Sequence, residues 1–416
     1  MSHVVVIGGG AIGTACAHYL SIADCDVTLL DLGEQGKGAT SGNCGHLAYS
    51  HLQPLSEPGI ILKTLKAMGR GDSPLFIKPR IDPALWSWLL HFARHCNESS
   101  MLHLTQALQP LIEASEPLYQ ELMDQSSLDC EWDEHGSLYV FRTQQGMENF
   151  SETNRMLDEE FGLSAERYDS EALTELEPAI RPGTTSGAWL YKNDRHLHPE
   201  KLLASWRALL ESQGVTIQEN CPAKSIIRKT GYASAVITDS GEIQADAVVV
   251  ATGAWTPLLN KELGCSIPVQ PGKGYSVTMP RPKRCPKYLL HLSDDSVVVT
   301  PMASGYRLGS TMEFSGYDPT LNRRRLNRLV EGAAKYLHEP QGSSITEEWY
   351  GWRPMTYDNL PIIDRAPCMN NVFIATGHNM YGLTAATSTG KLIAEMVTET
   401  EPHIALEPYS LNRFQS

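Results

Sequence analysis

The sequence predicts an α/β fold built on a doubly wound parallel sheet, and two stretches near its beginning support the prediction. The apolar stretch VVVI at residues 4–7 runs directly into glycines and then into a helical pattern. A second apolar stretch, DVTLLDL at 26–32, follows that helix. A buried strand, a helix and another buried strand in this order are typical of such a sheet.

The glycines after the first strand have the spacing of a dinucleotide-binding turn. Gly8 allows a tight turn, Gly10 lets backbone N–H groups approach a pyrophosphate, and Gly13 lets the helix pack closely on the strand. Asp31 lies 18 residues after Gly13, close to the spacing of the acid that binds a ribose hydroxyl. These residues predict a Rossmann-like site for an unphosphorylated ribose, and they leave FAD and NAD both open.

Two later strands end in the same tripeptide, Ala-Thr-Gly. They are ADAVVVATGAW at 245–255 and NNVFIATGHN at 370–379. Because ligands of a doubly wound sheet bind outside the carboxyl ends of its strands, we expect these glycines to lie near the first turn. The nucleotide-binding domain is therefore predicted to be discontinuous in sequence.

The stretches between these strands differ in pattern and predict a second domain. Helical periodicity dominates 86–189, and alternating strands fill 266–344. We expect these two intervals to form an α+β substrate domain on an antiparallel sheet that covers the nucleotide. The nucleotide-binding domain then consists of residues 1–85, 190–265 and 345–416.

Composition narrows the class of protein. The 416 residues are 42% hydrophobic and 20% charged, and the net charge of −14 argues against a nucleic-acid partner, which would need clustered Lys and Arg. The nine cysteines lack zinc-site spacing, and the first strand begins too early for a cleaved leader, so we expect reduced thiols. No apolar run reaches the roughly 18 residues of a transmembrane helix, so we expect no transmembrane segment. We expect a cytoplasmic protein, with peripheral contact to the inner membrane allowed, and no metal site.

Six ordered segments resemble the D-amino-acid oxidase superfamily of FAD enzymes over nearly the whole chain. Within it the chain is most similar to the small subunit of bacterial D-amino-acid dehydrogenase, and glycine and sarcosine oxidases share the same frame. The segments are VVVIGGGAIG at 4–13, GATSGNCGHLA at 38–48, LHPEKLLASW at 197–206, VVVATGAW at 248–255, GWRPMTYDNLPIID at 351–364 and VFIATGHNMYGLTAATSTGKLIAEMV at 372–397.

The resemblance implies FAD as the cofactor and adds residues to its site. The polar loop after Asp31 is suited to binding the pyrophosphate and the ribitol. Ala223 matches a residue whose backbone contacts the adenine, and Gly253 matches the strand-end turn over the dinucleotide. The last of the six segments is expected to start a helix of small residues whose N-terminus faces the flavin and stabilises negative charge on it. The added residues are Thr40, Ser41, Asn43, Gly45, Ala223, Gly253, Tyr381, Gly382 and Thr384.

The resemblance also implies two catalytic residues. Arg353 matches the arginine that grips the substrate carboxylate, and His46 matches a histidine near flavin and substrate in related amine dehydrogenases, with a structural role as its alternative. Met380 stands where glycine oxidase has an arginine, which puts glycine in doubt. Tyr275 either closes the pocket or is a core tyrosine, and Trp255 is either a ligand contact or a core aromatic.

The expected reaction is FAD-dependent oxidative deamination of D-amino or cyclic D-imino acids, by hydride transfer from Cα to flavin N5. The expected partners are the small-molecule substrate and an electron acceptor other than NAD, a quinone or another redox protein. The alternatives are a glycine- or sarcosine-type oxidase that releases peroxide, a D-proline or hydroxy-D-proline dehydrogenase, an NAD-linked dehydrogenase, and a nucleotide-bound module without turnover.

Overall fold

The computed structural model describes residues 1–33, 38–50, 52, 56, 59 and 75–414. Its strands are β1 (His3–Ile7), β2 (Asp26–Leu30), β3 (His46–Leu47), β4 (Leu75–Ile77), β5 (Ser137–Phe141), β6 (Glu166–Asp169), β7 (Gly187–Tyr191), β8 (Arg195–His196), β9 (Thr216–Gln218), β10 (Ser225–Lys229), β11 (Tyr232–Thr238), β12 (Gly241–Gln244), β13 (Ala247–Val250), β14 (Val269–Met279), β15 (Leu289–Leu292), β16 (Val297–Pro301), β17 (Tyr306–Phe314), β18 (Glu347–Thr356), β19 (Ile362–Arg365) and β20 (Val372–Thr376). Its α-helices are α1 (Ala11–Ile22), α2 (Pro83–His95), α3 (Glu98–Gln125), α4 (Gln144–Phe161), α5 (Ser170–Leu176), α6 (Pro199–Ser212), α7 (Asn260–Leu263), α8 (Arg323–Ala333) and α9 (Ala386–Thr398), with 3₁₀ helices at Gly253–Leu259, Glu407–Tyr409 and Leu411–Phe414.

A six-stranded sheet carries the predicted nucleotide turn. Its order is β19-β20-β13-β1-β2-β9, and all pairs are parallel except β19 with β20. Val4 and Val6 belong to one apolar core and Val5 and Ile7 to another, so β1 is buried on both faces. Burial on both faces explains why its sequence is a continuous apolar run.

Helices α1 and α9 cross closely on one face of this sheet. A Cβ added at Gly390 would come within 2.5 Å of the carbonyl carbon of Ala15. The small residues of the last segment therefore serve this crossing, and they bring the N-terminal ends of both helices to the same edge of the sheet.

A nine-stranded sheet forms the second layer, in the order β18-β14-β17-β16-β15-β5-β7-β6 with β4 paired to β17. The pairs are antiparallel except β5 with β15 and β4 with β17. Its buried face packs on α8 through Leu326 and Leu329. The predicted fold class, a Rossmann-like domain with a second domain on a mainly antiparallel sheet, is confirmed.

Two strands lie on the other side of the predicted boundaries. Leu75–Ile77 and Glu347–Thr356 fall within the intervals assigned to the nucleotide domain, yet both pair into the nine-stranded sheet. Their partners are distant in sequence, so local patterns could not assign them. The remaining domain limits stay a prediction.

Candidate active site

The carboxyl ends of the parallel strands open into a cavity of about 710 Å³ that lies between the two sheets. Residues that end β1, β2 and β20 line one side. Residues of the nine-stranded sheet line the other, among them Tyr139, His291, Val298, Ser310 and Arg353. Ligands of such sheets bind at this edge, which makes the cavity the candidate active site.

The glycine turn after β1 has the geometry that its sequence predicts. Gly8 has φ +109°, and its N–H donates to the carbonyl oxygen of Leu30 at 2.8 Å. A Cβ at Gly13 would overlap the carbonyl oxygen of Gly8, so a larger residue there would push α1 away from the turn. Gly8 and Gly10 line the cavity, whereas Gly13 acts through packing.

Asp31 lines the cavity at the end of β2 and is held by a buried arginine. Its Oδ2 lies 2.5 Å from Nη2 of Arg207, and its Oδ1 accepts from the backbone N–H of Gly33 at 3.3 Å. Arg207 also donates to the carbonyl oxygen of Gly9 and to Glu219 at 2.8 Å. The sequence prediction missed Arg207, although an arginine inside the apolar stretch LLASWRALL was a usable signal.

The polar loop after Asp31 is fixed to the nine-stranded sheet. Four consecutive backbone carbonyls, those of residues 41–44, accept hydrogen bonds from side chains on β14, β16 and β17. The bonds run from Arg307 Nη1 to Ser41 O (3.0 Å) and Asn43 O (2.8 Å), from Ser276 Oγ to Gly42 O (2.7 Å) and from Thr300 Oγ1 to Cys44 O (2.7 Å).

The side chains of this loop divide into two groups. Thr40 and Asn43 line the cavity, and the Thr40 hydroxyl accepts from the Ala11 N–H at the start of α1 at 3.1 Å. Ser41 donates to the Gly38 carbonyl at 3.2 Å, and Gly45, at φ +65°, packs on the Leu197 carbonyl. Ser41 and Gly45 are absent from the cavity wall, so their contribution to it is the shape of the loop.

The turn before the last helix also reaches the cavity, with Tyr381, Gly382 and Thr384 in its wall. Helix α9 begins at Ala386, later than the sequence suggested. The carbonyl of Leu383 accepts from the Tyr119 hydroxyl at 2.7 Å and from a backbone N–H three residues on, which makes a tight turn before the helix.

The remaining cofactor candidates lie around the same cavity. Ala223 lines it between β9 and β10, and Gly253 lines it at φ +55° where a 3₁₀ helix begins. Trp255 and Met380 also line it. Tyr275 is buried, and its hydroxyl donates to Glu313 at 3.1 Å, so it is a core tyrosine.

Arg353, on β18, lines the cavity from the nine-stranded sheet, whereas Arg207 lines it beside Asp31. Nη1 of Arg353 donates to the carbonyl oxygen of Thr311 at 3.1 Å, and among the described residues no carboxylate lies within ion-pair distance of Arg353. Burial lowers the pKa of the guanidinium below its ordinary value, and an arginine still stays charged near neutral pH. A charge in such surroundings favours an anionic ligand.

An irregular segment of β17 presents that carbonyl to Arg353. Ser310 and Thr311 have φ +118° and +61°, which is a strained conformation for residues other than glycine. The register to β14 shifts here, since Tyr275 pairs with Ser310 and Lys273 with Glu313. This bulge turns the Thr311 carbonyl out of the ladder of strand hydrogen bonds.

His46 belongs to a buried network that reaches the cavity. Its Nε2 lies 2.9 Å from Oδ2 of Asp194, and its Nδ1 lies 3.1 Å from Nε2 of His291. His46 and His291 both line the cavity, and the side chain of Asp194 is 1% exposed. Asp194 and His291 were missed from sequence, because their partners are separated from them by 148 and 245 positions.

The described ranges lack both a metal-binding cluster and a membrane-spanning helix. They contain no group of three or more His, Cys, Asp or Glu side chains arranged to hold a metal ion. None of their helices combines the length and apolarity needed to cross a membrane.

Comparison with known proteins decides the family. The family described as FAD dependent oxidoreductase matches residues 3–396. The chain belongs to this family. Among its relatives are proteins named D-amino acid dehydrogenase from Methylobacterium nodulans (31% identity over 99% of both chains) and Vibrio cholerae serotype O1 (31% identity over 100% of this chain and 99% of the relative).

Solved structures agree on the fold. Glycine oxidase from Geobacillus kaustophilus superposes with a TM-score of 0.77 at 22% identity, covering 99% of both chains. L-proline dehydrogenase from P. horikoshii superposes with a TM-score of 0.74 at 20% identity, covering 100% of this chain and 98% of the other. The predictions of the family and of FAD as its cofactor are confirmed.

The cavity fits FAD. Gly10 leaves the backbone bare next to the start of α1, where its N–H can face a phosphate, and a Cβ at Gly10 would point toward Thr40 Oγ1 at 3.3 Å. Asp31 lines the cavity at the end of β2, and Arg353 lines it from the nine-stranded sheet. One continuous space thus brings together Asp31, the glycine turn after β1 and Arg353.

Proposed function

We propose that this chain is an FAD-dependent dehydrogenase of D-amino acids or cyclic D-imino acids. The observation that carries the proposal is Arg353, a cation in the wall of the cofactor cavity whose charge no described carboxylate balances. A substrate carboxylate supplies the missing negative charge. A guanidinium donates to both carboxylate oxygens in one plane, so this contact orients the substrate as well as binding it.

The contact to Thr311 limits how the guanidinium can turn. With Nη1 held by that carbonyl at 3.1 Å, the rest of the planar group has a fixed direction in the cavity wall. A bound carboxylate therefore positions its own Cα at a defined place, which converts the reaction into one between held groups. Bound FAD supplies the chemistry of hydride acceptance at this place.

The same proposal assigns the cofactor residues. Asp31 accepts from the adenosine ribose, the N-terminal end of α1 faces the pyrophosphate, and the turn before α9 faces the flavin. Packing residues support these contacts without touching the ligand. The contacting set is Gly8, Gly10, Asp31, Thr40, Asn43, Ala223, Gly253, Tyr381, Gly382 and Thr384, and the supporting set is Gly13, Ser41 and Gly45.

The preference for the D-enantiomer and for dehydrogenase over oxidase is drawn from the relatives. Full-length relatives at 31% identity are named D-amino acid dehydrogenase, whereas the glycine oxidase neighbour is 22% identical. Met380 lines the cavity as an apolar residue, which supports a substrate with a less polar side chain than an arginine there would favour.

The test is anaerobic reduction of the bound flavin by a panel of D- and L-amino acids, with glycine, sarcosine and D-proline included. We expect bleaching by D-amino or D-imino acids and none by their L-enantiomers. Bleaching by an L-enantiomer alone would overturn the proposal. Reduction by glycine or sarcosine alone would point to the oxidase alternative.

The proposal includes an electron acceptor other than NAD, either a quinone or a redox protein. The chain has one Gly-x-Gly-x-x-Gly turn, and in this proposal FAD binds there, so no second such turn is left for NAD. Turnover with a quinone analogue should exceed turnover with oxygen, measured as peroxide release. Peroxide formed in step with substrate loss would contradict this part of the proposal.

A further inference from the structure

A hydrogen bond between two buried side chains spans the bulge of β17. The Tyr275 hydroxyl, on β14, donates to Oε2 of Glu313 at 3.1 Å. Tyr275 pairs with Ser310 in the ladder between the two strands, so this bond reaches past residues 311 and 312, which form the bulge. We call this hydrogen bond the brace.

The bulge needs support because its backbone is strained. Ser310 and Thr311 have φ +118° and +61°, and such conformations persist only where the surrounding structure fixes them. The Thr311 side chain gives no such support, since its hydroxyl is buried and has no hydrogen-bond partner among the described residues. Contacts made by other side chains are therefore needed to hold the bulge.

Both ends of the brace are held in place. Nζ of the buried Lys273 lies 5.3 Å from the ring centroid of Tyr275, a cation–π contact that fixes the ring. Oε2 of Glu313 also accepts from Nδ2 of Asn322 at 3.3 Å, and it lies 4.0 Å from Nε of Arg325 on α8. The brace thus ties the bulge to β14 on one side and to the start of α8 on the other.

The brace lies on the face of the nine-stranded sheet that is turned away from the cavity. Tyr275 belongs to the apolar core that packs on α8, and neither Tyr275 nor Glu313 lines the cavity. Gly274, the next residue along β14, points to the opposite face, where an added Cβ would overlap Arg353. A change in the brace therefore reaches the substrate site only through the bulge.

We propose that Tyr275 and Glu313 are positioning residues that hold the Arg353 guanidinium in the orientation that binds a substrate carboxylate. The brace fixes the bulge, the bulge presents the Thr311 carbonyl, and this carbonyl accepts from Nη1 of Arg353 at 3.1 Å. A guanidinium held in one plane binds both carboxylate oxygens together, whereas one that rotates keeps its charge and loses the paired geometry. This inference rests on the proposed function, because it concerns the carboxylate contact of the same site.

The test compares two ligands that cannot be oxidised and that differ in charge. 2-Aminoisobutyrate has the amine and the carboxylate of a substrate but no Cα hydrogen, and 2-aminoisobutyramide has a neutral amide in place of the carboxylate. Their dissociation constants from the FAD-loaded protein are measured by titration of the flavin absorption spectrum. The ratio of the two constants reports the carboxylate contact, whereas general damage to the cavity would weaken both ligands together.

Tyr275→Phe removes the hydroxyl of the brace and keeps the ring. The wild-type protein should prefer the acid over the amide by roughly ten- to a hundredfold, the worth of a charge-assisted contact. In Tyr275→Phe we expect this preference to fall by about tenfold while the affinity for the amide stays nearly constant. A preference equal to that of the wild type would overturn the role of the brace.

Tyr306→Phe is the matched control. Tyr306 is another buried tyrosine of β17, its hydroxyl donates to the carbonyl oxygen of Pro340 at 3.3 Å, and it does not line the cavity. This variant should keep the wild-type preference for the acid. If the preference fell equally in both variants, the effect would come from the loss of any buried hydroxyl of this strand, and the proposal would be wrong.

Two further variants restore what the brace supplies. Glu313→Gln keeps an oxygen acceptor for the Tyr275 hydroxyl and should keep most of the preference. Thr311→Gly removes the cost of φ +61°, so the double variant with Tyr275→Phe should regain the preference that Tyr275→Phe alone loses. A double variant without recovery, or a fall in Glu313→Gln as large as in Tyr275→Phe, would contradict the proposal.

The same titrations separate this inference from the proposed function. A wild-type protein that binds the acid no better than the amide would contradict the carboxylate contact of Arg353 and overturn the proposed function. A wild-type preference that persists in Tyr275→Phe would overturn the brace alone.

Discussion

Gly274 leaves the space that the guanidinium of Arg353 occupies. The two residues lie on paired strands, and a Cβ added at Gly274 would overlap Nη1 of Arg353. The position of the Arg353 guanidinium therefore depends on the lack of a side chain at Gly274, on the paired strand. The carbonyl oxygen of Thr311, on β17 at the other side of β14, accepts a hydrogen bond from the same nitrogen.

Gly274→Ala should displace the guanidinium and raise the substrate concentration needed for flavin reduction. Loss of a charge-assisted contact costs about 1.5–3 kcal/mol, roughly ten- to a hundredfold in affinity. The measurement is the substrate dependence of stopped-flow reduction. Gly305→Ala is the control, because its Cβ would meet its nearest neighbour at 3.5 Å, an ordinary contact. Equal effects of the two changes would contradict the prediction.

Arg353→Lys should impair both substrate binding and the limiting rate of flavin reduction, although it keeps the charge. An ammonium group cannot reproduce the planar two-pronged contact that directs Cα. FAD content should not change. Arg365→Lys, at an exposed arginine on β19, is the control and should reduce like wild type. Unchanged reduction in Arg353→Lys would remove this residue from the substrate site.

Asp31→Ala should weaken FAD binding by roughly ten- to a hundredfold, the worth of a charged hydrogen bond, without changing which substrates bleach the remaining flavin. The dissociation constant is measured by reconstitution of the apoprotein. Glu219→Gln is the matched control, because Glu219 also pairs with Arg207 but does not line the cavity. If both variants lost FAD equally, the effect would come from Arg207 rather than from a ribose contact.

FAD should be bound without a covalent link, and heat or acid denaturation should release it into the supernatant. Cys44 and Cys221 both line the cavity. Cys44 lies in the polar loop, and burial raises its pKa despite the nearby Arg307 and Arg353, so it stays protonated and is a poor nucleophile. Flavin that precipitates with the protein would refute this prediction.

Thr300→Val should loosen the polar loop and speed FAD release. The change keeps the shape of the side chain but leaves the Cys44 carbonyl without its donor, at a cost of about 1–3 kcal/mol. FAD dissociation is followed by flavin fluorescence after dilution. Thr346→Val, which removes an exposed hydroxyl just before β18, is the control and should release FAD at the wild-type rate.

The sequence predicted what local pattern controls. The strand, turn and helix around Gly8 follow from apolar runs and glycine spacing, and β13 and β20 follow from their repeated endings. The start of α9 was placed too early because Tyr119, far away in sequence, holds the carbonyl of Leu383. The pairing of β4 and β18 into the nine-stranded sheet was missed because their partner strands are also distant in sequence.

The candidate site shows the same division. Arg353 and His46 stand in recognisable motifs, whereas the residues that orient them do not. Thr311 contacts Arg353 through its backbone carbonyl, which leaves no side-chain pattern in the sequence. Asp194 contacts His46 from 148 positions away, so no local motif joins the two. Folding alone brings such partners together.

The four carbonyl groups of residues 41–44 bind to the nine-stranded sheet, and this sets a minimum length of nascent chain for FAD binding during synthesis. The Gly-x-Gly-x-x-Gly turn and Asp31 leave the ribosome first, but the bond to Cys44 spans 256 positions and the bond to Ser41 spans 266. Until Arg307 has emerged, the Ser41 and Asn43 carbonyls of this loop lack the donor that fixes them to the nine-stranded sheet. A nascent chain that ends before this strand therefore carries the fingerprint and is not yet a flavoprotein.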